Sequence, residues 1–209
     1  TAQSVVRSRL SVELSPGVFA FGGTPSAVEL SPDGLMLAFR GREKLEAPSR
    51  IYVRRLDELT ARALPGTEDA TGFFFSPDGK KIGFFVEKKK LNTVPVAGGD
   101  VFGLCDVNLA RGGSWTSDGR IVFAFSSRGA LSIVSDRGGA PQPLTKLDDA
   151  EGEITHRFPQ VLPGDRGVIF TSHTNSISFD EAVIKLVPLS GGKPREILRG
   201  GYLARYVSS

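Results

Sequence analysis

Twenty-six Lys and Arg against 23 Asp and Glu give the 209-residue chain a net charge of +3, with basic residues scattered except at Lys88-Lys89-Lys90, so no nucleic-acid site is indicated. A single cysteine, Cys105, excludes an intrachain disulfide and a cysteine zinc cluster, and no run approaches the roughly 18 apolar residues of a membrane helix. Twenty-five glycines and 13 prolines point instead to many tight turns and short elements, and so to an all-β chain.

In chain order, Val5 to Leu14 alternates apolar and polar residues and is expected to be a strand, the outermost of a preceding blade. A four-strand unit then recurs. Blade 1, near 24–65, is predicted to run from an innermost strand at 26–30 through Ser31-Pro32-Asp33-Gly34 to strands at 35–40, 50–55 and 61–65. Blade 2, near 70–105, repeats this with 71–75, Ser76-Pro77-Asp78-Gly79, 80–86, 91–96 and 100–105, leaving Lys88 to Lys90 at a solvated hairpin tip. Blade 3, near 110–146, places Thr116-Ser117-Asp118-Gly119 between strands at 111–116 and 120–125, followed by 130–135 and 141–145. Blade 4, near 156–199, has the weakened turn Leu162-Pro163-Gly164-Asp165 between 157–162 and 167–172, then 182–189 and 194–199. Arg55 to Arg62 reads as a link between strands, and Leu203 to Val207 falls at the innermost position of a fifth blade.

The repeat is anchored by apolar columns. Leu30, Phe75, Trp115 and Val161 precede the four turns, Leu37, Ile82, Ile121 and Val168 follow them, and Phe39, Phe84, Phe123 and Phe170 come two residues later. Proline presets the φ of a turn, Ser and Asp bond nearby backbone, and Gly takes the left-handed conformation, so Ser-Pro-Asp-Gly joins two antiparallel strands. Gly98-Gly99, Gly138-Gly139 and Gly191-Gly192 mark a second set of hairpins, between third and fourth strands. Four antiparallel strands at a period of roughly 40 to 50 residues are a β-propeller blade. The expected fold is a single all-β propeller of four such blades over 1–209, an open fragment of a larger propeller.

These phrases resemble the WD40-like, Ser-Pro-Asp-Gly-rich repeats of the TolB family of bacterial propellers. Leu64-Pro65-Gly66-Thr67-Glu68, Gly152-Glu153-Ile154-Thr155-His156-Arg157-Phe158-Pro159-Gln160 and Ala204-Arg205-Tyr206-Val207 are most similar to the C-terminal propellers of bacterial serine/threonine kinases of eukaryotic type. The resemblance implies a sensory or scaffold propeller in an extracytoplasmic or periplasmic setting. Similar propellers also precede the hydrolase domain of prolyl-oligopeptidase-like enzymes, which keeps a substrate-gating role open.

No nucleophile elbow, glycine-rich nucleotide loop or kinase catalytic motif occurs, so no catalytic residue and no cofactor is assigned. His156 and His173, the two histidines, read as structural residues rather than a shared metal site, and Trp115 is expected to pack between blades. Propellers bind on the rim where loops lead into the innermost strands. Here that rim would present Glu68, Asp69, Asp106, Arg111, Glu153, His156, Arg157 and Tyr202, with the long polar loop 148–157 foremost, read either as a contact surface or as a solvated connection with Glu153 or Arg157 tied into a neighbouring blade. A protein or peptide ligand is expected there, without nucleic acid or membrane. Open edges at 5–14 and 203–207 also predict an arc that forms a homodimer.

Overall fold

The computed structural model describes residues 14–15, 17–20, 27–86, 89–174 and 178–207. The expected strand Val5 to Leu14 lies, apart from Leu14, outside them, as do Lys88 and the rim loop at 22–26.

Four antiparallel sheets succeed one another along the chain. Sheet 1 holds β1 (Phe19–Ala20), β2 (Val28–Leu30), β3 (Met36–Arg42), β4 (Arg50–Arg55) and β5 (Arg62–Ala63). Sheet 2 holds β6 (Ala70–Phe75), β7 (Lys81–Val86), β8 (Lys90–Pro95) and β9 (Phe102–Asp106). Sheet 3 holds β10 (Gly113–Trp115), β11 (Arg120–Ala124), β12 (Leu131–Ser135) and β13 (Gln142–Pro143). Sheet 4 holds β14 (Thr155–Val161), β15 (Val168–His173), β16 (Val183–Val187) and β17 (Arg195–Arg199). The fold is therefore an all-β propeller of four blades, and among the described residues no strand pairing closes the fourth sheet onto the first.

Register explains the columns. Leu30, Phe75, Trp115 and Val161 stand opposite Leu37, Ile82, Ile121 and Val168, so each turn closes the same hairpin. Within the first turn Ser31 Oγ donates to Asp33 Oδ1 at 2.6 Å and accepts the Met36 N–H at 2.9 Å. Ser76 with Asp78 and Thr116 with Asp118 repeat the 2.6 Å bond, and Gly34, Gly79 and Gly119 close the turns at φ 73, 68 and 83°. The Ser31 and Ser76 hydroxyls, and next the backbone amides of Leu35 and Lys80, hold Asp33 and Asp78 below the ordinary carboxylate range. Gly98, Gly138 and Gly191 donate in turn to Pro95, Ser135 and Pro188 carbonyls, which makes the second set of hairpins equivalent as well.

Three cores lie between successive blades. Ala38, Ile51 and Leu64 meet Ile82, Phe84 and Val94; Phe74, Phe85 and Leu91 meet Trp115, Ile121 and Phe123; Val122, Ala124 and Leu131 meet Val168, Phe170 and Val187. The repeated phenylalanine of blades 2, 3 and 4 is thus the residue each blade turns toward its predecessor, and burying one contributes about 1.5–3 kcal/mol. Phe39, the blade 1 member, stacks on Tyr52 at 5.6 Å. Phe74 lies in a slot floored by Gly83 and Gly113, where an added Cβ would come within 2.5 Å of its ring.

The outermost strands show where the array stops packing. Leu64 and Leu144 bond back to Ile51 and Leu131, while Cys105 and Leu198 pair with Leu91 and Ile184. Exposure along this column is 0% at Leu64, 8% at Cys105, 7% at Leu144 and 58% at Leu198. β-Bulges in sheets 2 and 4 leave Leu104 and Ile197 without a register partner, so the pairing falls on the next residue, Cys105 and Leu198. One expectation is corrected: 203–207, expected at an innermost-strand position, forms no strand. The short β1, an element with too few residues to show a period in the sequence, extends the inner edge of β3.

Candidate functional site

The rim expected to bind a ligand is largely tied into the framework. A three-residue helical turn at Asp149–Glu151, capped by the Asp148 side chain and ended by left-handed Gly152, turns Glu153 inward. Glu153 Oε2 accepts the Asp148 N–H at 2.7 Å and lies 3.0 Å from His156 Nε2; Oε1 takes Lys185 Nζ at 2.6 Å and the Ser172 hydroxyl. His156 is fully buried, and its Nδ1 lies 2.8 Å from Thr145 Oγ1, which already accepts the Leu131 N–H. The Thr145 proton is therefore available to Nδ1, which leaves the Nε2 proton to Glu153. Blade 1 has the same threonine station: Thr67 Oγ1 accepts the Ile51 N–H but donates to the Leu64 carbonyl. Burial alone would raise the Glu153 carboxyl, but hydrogen bonds from His156, Lys185, Ser172 and the Asp148 N–H outweigh it and hold the group far below the carboxylate range. Lys185 moves up, because Glu151 and Glu153 outweigh its own desolvation.

Arg157 is also buried, donating to the Ser127 carbonyl at 2.9 Å and to Thr155 Oγ1 at 3.2 Å, with its guanidinium 5.8 Å from the Phe179 ring centre. Burial, and then Arg111, lower its pKa. Phe179 gathers His173 and Tyr202, each 4.7 Å away, into an aromatic cluster over blade 4. Of the rim residues, the structure thus brings Glu153 to His156 and sets Arg157 and Tyr202 each against Phe179, and only Tyr202 of these four is exposed. Glu68 pairs with Arg50 at 2.9 Å, Asp106 pairs with Lys90 at 3.0 Å, Arg111 donates to the Ala110 carbonyl, and Asp69 is exposed with φ 59°. Glu153, His156 and Arg157 are buried rather than presented at the surface, and Arg157 is tied into blade 3 through the Ser127 carbonyl, the alternative reading of this loop. Burial, then Asp106, push the Cys105 thiol up to about 11, so it stays protonated at neutral pH. Among the described residues no group of three or more His, Cys, Asp or Glu could hold a metal ion.

All four blades meet on the opposite face. The turns after the innermost strands converge on a cavity of about 520 Å³, to which blade 1 brings Pro32, blade 2 Phe75 and Pro77, blade 3 Trp115, and blade 4 Gln160 and Pro163. Tyr206 completes the wall. Trp115 packs edge-on against Phe74 at 6.2 Å, between blades as its column requires, while also lining this cavity. Gln160 accepts the Tyr206 N–H at 2.7 Å, and Ser114 Oγ accepts the Val161 N–H at 2.9 Å. The wall combines flat aromatic surface with a few side-chain amide and hydroxyl groups, a lining suited to an extended peptide or a protein loop. A signal for it was present in the sequence, since turns repeating after every innermost strand must meet at the axis.

No family model matches the sequence, and no curated protein sequence matches it. Solved structures do. A protein assigned as TolB from Agrobacterium tumefaciens superposes with a TM-score of 0.69 at 19% identity, over 85% of this chain and 68% of its own. A chain of the nidogen/laminin complex gives 0.59 at 14%, over 81% of this chain and 61% of that one. A prolyl endopeptidase gives 0.58 at 11%, over 88% of this chain and 31% of that one. The fold is therefore that of the TolB-like propellers.

Proposed function

We propose that this chain is a non-catalytic propeller module that binds a protein or peptide, serving as the sensory or scaffold part of a larger bacterial protein such as a receptor-type kinase. The observation that carries the reading is the axial cavity, walled by turns from all four blades and by three aromatic side chains. The superposition on a chain of a complex between two proteins, nidogen and laminin, supports a protein-binding use of the fold. The kinase placement rests on the phrases around Gly152–Gln160 and Ala204–Val207 and implies an extracytoplasmic location.

Selection from a displayed random-peptide library on the immobilised chain, with hydrogen exchange on the resulting complexes, tests this. An enriched consensus protecting 113–117 and 158–165 is expected; failure to enrich any peptide counts against it. Turnover of an ester, peptide or nucleotide that a single substitution in this chain abolishes would overturn the non-catalytic reading.

The likeness to a prolyl endopeptidase favours a second reading, a propeller that gates substrate to a hydrolase domain. The full gene separates the two: a kinase and a membrane span upstream support the first, a nucleophile-bearing α/β domain downstream the second.

A further inference from the structure

Segment 201–207 belongs to no sheet, yet side chains of two different blades hold it, beginning with the contact of Tyr202 on Phe179. Thr171 Oγ1 accepts the Leu203 N–H at 3.2 Å, and Gln160 Oε1 accepts the Tyr206 N–H, both from blade 4. Arg205 lies 3.7 Å from the Glu29 carboxylate on β2, the innermost strand of blade 1. Tyr206 lines the axial cavity, as do Pro32 and Trp115. Tyr206 is half exposed, and the segment follows Gly200, which has φ 80° and donates, as Gly201 does, to the Ala182 carbonyl.

This is how a groove holds a peptide. Two backbone N–H groups are captured, one basic side chain is read by a carboxylate, and the adjacent aromatic borders a pocket. We infer that the gap between blades 4 and 1, with the axial cavity as its floor, is an acceptor for an extended peptide from a partner protein that presents a basic residue followed by an aromatic one. Segment 201–207 is its resident occupant and must leave for the partner to bind. Glu29 selects the basic residue, the pocket of Pro32, Trp115 and Pro163 selects the aromatic, and Thr171 and Gln160 fix the register of the backbone. This rests on the binding-module reading and specifies its site.

Trp115 is the one tryptophan of the chain and lines the cavity, so its emission reports occupancy directly. The probe is a synthetic peptide with the sequence of residues 201–207, added to the full chain carrying Arg205→Ala and Tyr206→Ala. A saturable change in emission is expected. It should weaken by about tenfold or more when the peptide's arginine is replaced by glutamate, because like charges then face each other, and return when that peptide meets a chain also carrying Glu29→Arg. No saturable change, or one indifferent to Glu29→Arg, overturns the proposal. Should the double variant fail to fold, the unsubstituted chain supplies the answer: excess peptide must accelerate hydrogen exchange at the Leu203 and Tyr206 amides, and unchanged exchange sinks it. A chain that dimerises on concentration with both amides still protected assigns the groove to a second copy, which also overturns it. A library peptide that binds while leaving both amides and Trp115 undisturbed refutes this site but leaves the binding-module reading standing, whereas absence of any peptide binding sinks both.

Discussion

Asp165 accepts from Ser117 across the boundary between blades 4 and 3, taking the Ser117 N–H on both carboxylate oxygens at 3.1 Å and the hydroxyl on Oδ2. In the first three turns the aspartate bonds to the Ser or Thr of its own turn. Blade 4 has Leu162 at that first position and its aspartate one place later, at φ 53°, so the carboxylate turns outward to the neighbouring turn. Asp165→Ala is expected to lower stability by about 1 kcal/mol, a modest amount because the contact is exposed. That corresponds to roughly 2 to 4 °C in a chain of this size. Ser117→Ala in the same background should add little further loss, and calorimetry of the four-member cycle measures the coupling.

The Glu153–Lys185 pair should behave as a buried ion pair. Lys185→Met alone strands a buried carboxylate and is expected to cost about 3–5 kcal/mol in urea unfolding. Combining it with Glu153→Leu should recover part of that loss, since removing both charges removes both desolvation penalties. Simple additivity of the two would show that the charges act independently.

The same two groups set a pH dependence. Glu153 is held below its ordinary range, so its contribution is complete above the unfolded carboxylate value near 4.3 and is lost as pH falls through the lower folded value. Lys185 is raised, so its contribution is complete below about 10.4 and is lost as pH rises beyond that. From this pair, stability should be level between about pH 5 and 9 and fall on both flanks. In Glu153→Gln the acid flank should flatten, as tracked by urea midpoints across the range.

Gly113→Ala tests the slot around Phe74. The new methyl would sit 2.5 Å from the ring, and with Gly83 as tight on the same ring the side chain has little room to yield. A loss of about 1–3 kcal/mol is expected. Trimming the ring with Phe74→Leu in that background should restore part of it, measured by thermal melting.

Much of the fold is readable in the sequence because a propeller repeats its instructions. Trp115 can be placed between blades from its column alone, and Ser-Pro-Asp-Gly places a hairpin wherever it stands. The site is less readable, for two physical reasons. Glu153 and His156 are polar residues in a polar loop, and burial within a hydrogen-bond network leaves no periodic trace. The cavity around Trp115, Gln160 and Tyr206 draws on residues up to 174 positions apart from Pro32 to Tyr206, a proximity that depends on how blades fan about an axis rather than on any local pattern. Leu203 to Val207 matches the innermost-strand spacing, yet among the described residues no strand pairs with it, so Tyr206 is left to the cavity.

The change along the column from Leu64 to Leu198 gives the array a direction. In the first three blades the outer column is covered at Leu64, Cys105 and Leu144, which pack into the cores between blades, whereas β17 is exposed along its whole length. In a stack stabilised mainly by nearest-neighbour interfaces, local opening begins at the least covered unit and spreads inward. Amide exchange should therefore report a graded order, fastest in β17, slower in β16 and slowest around Phe84 and Phe123, so that blade 4, which carries most of the contacts to segment 201–207, is also the blade with the greatest freedom to adjust.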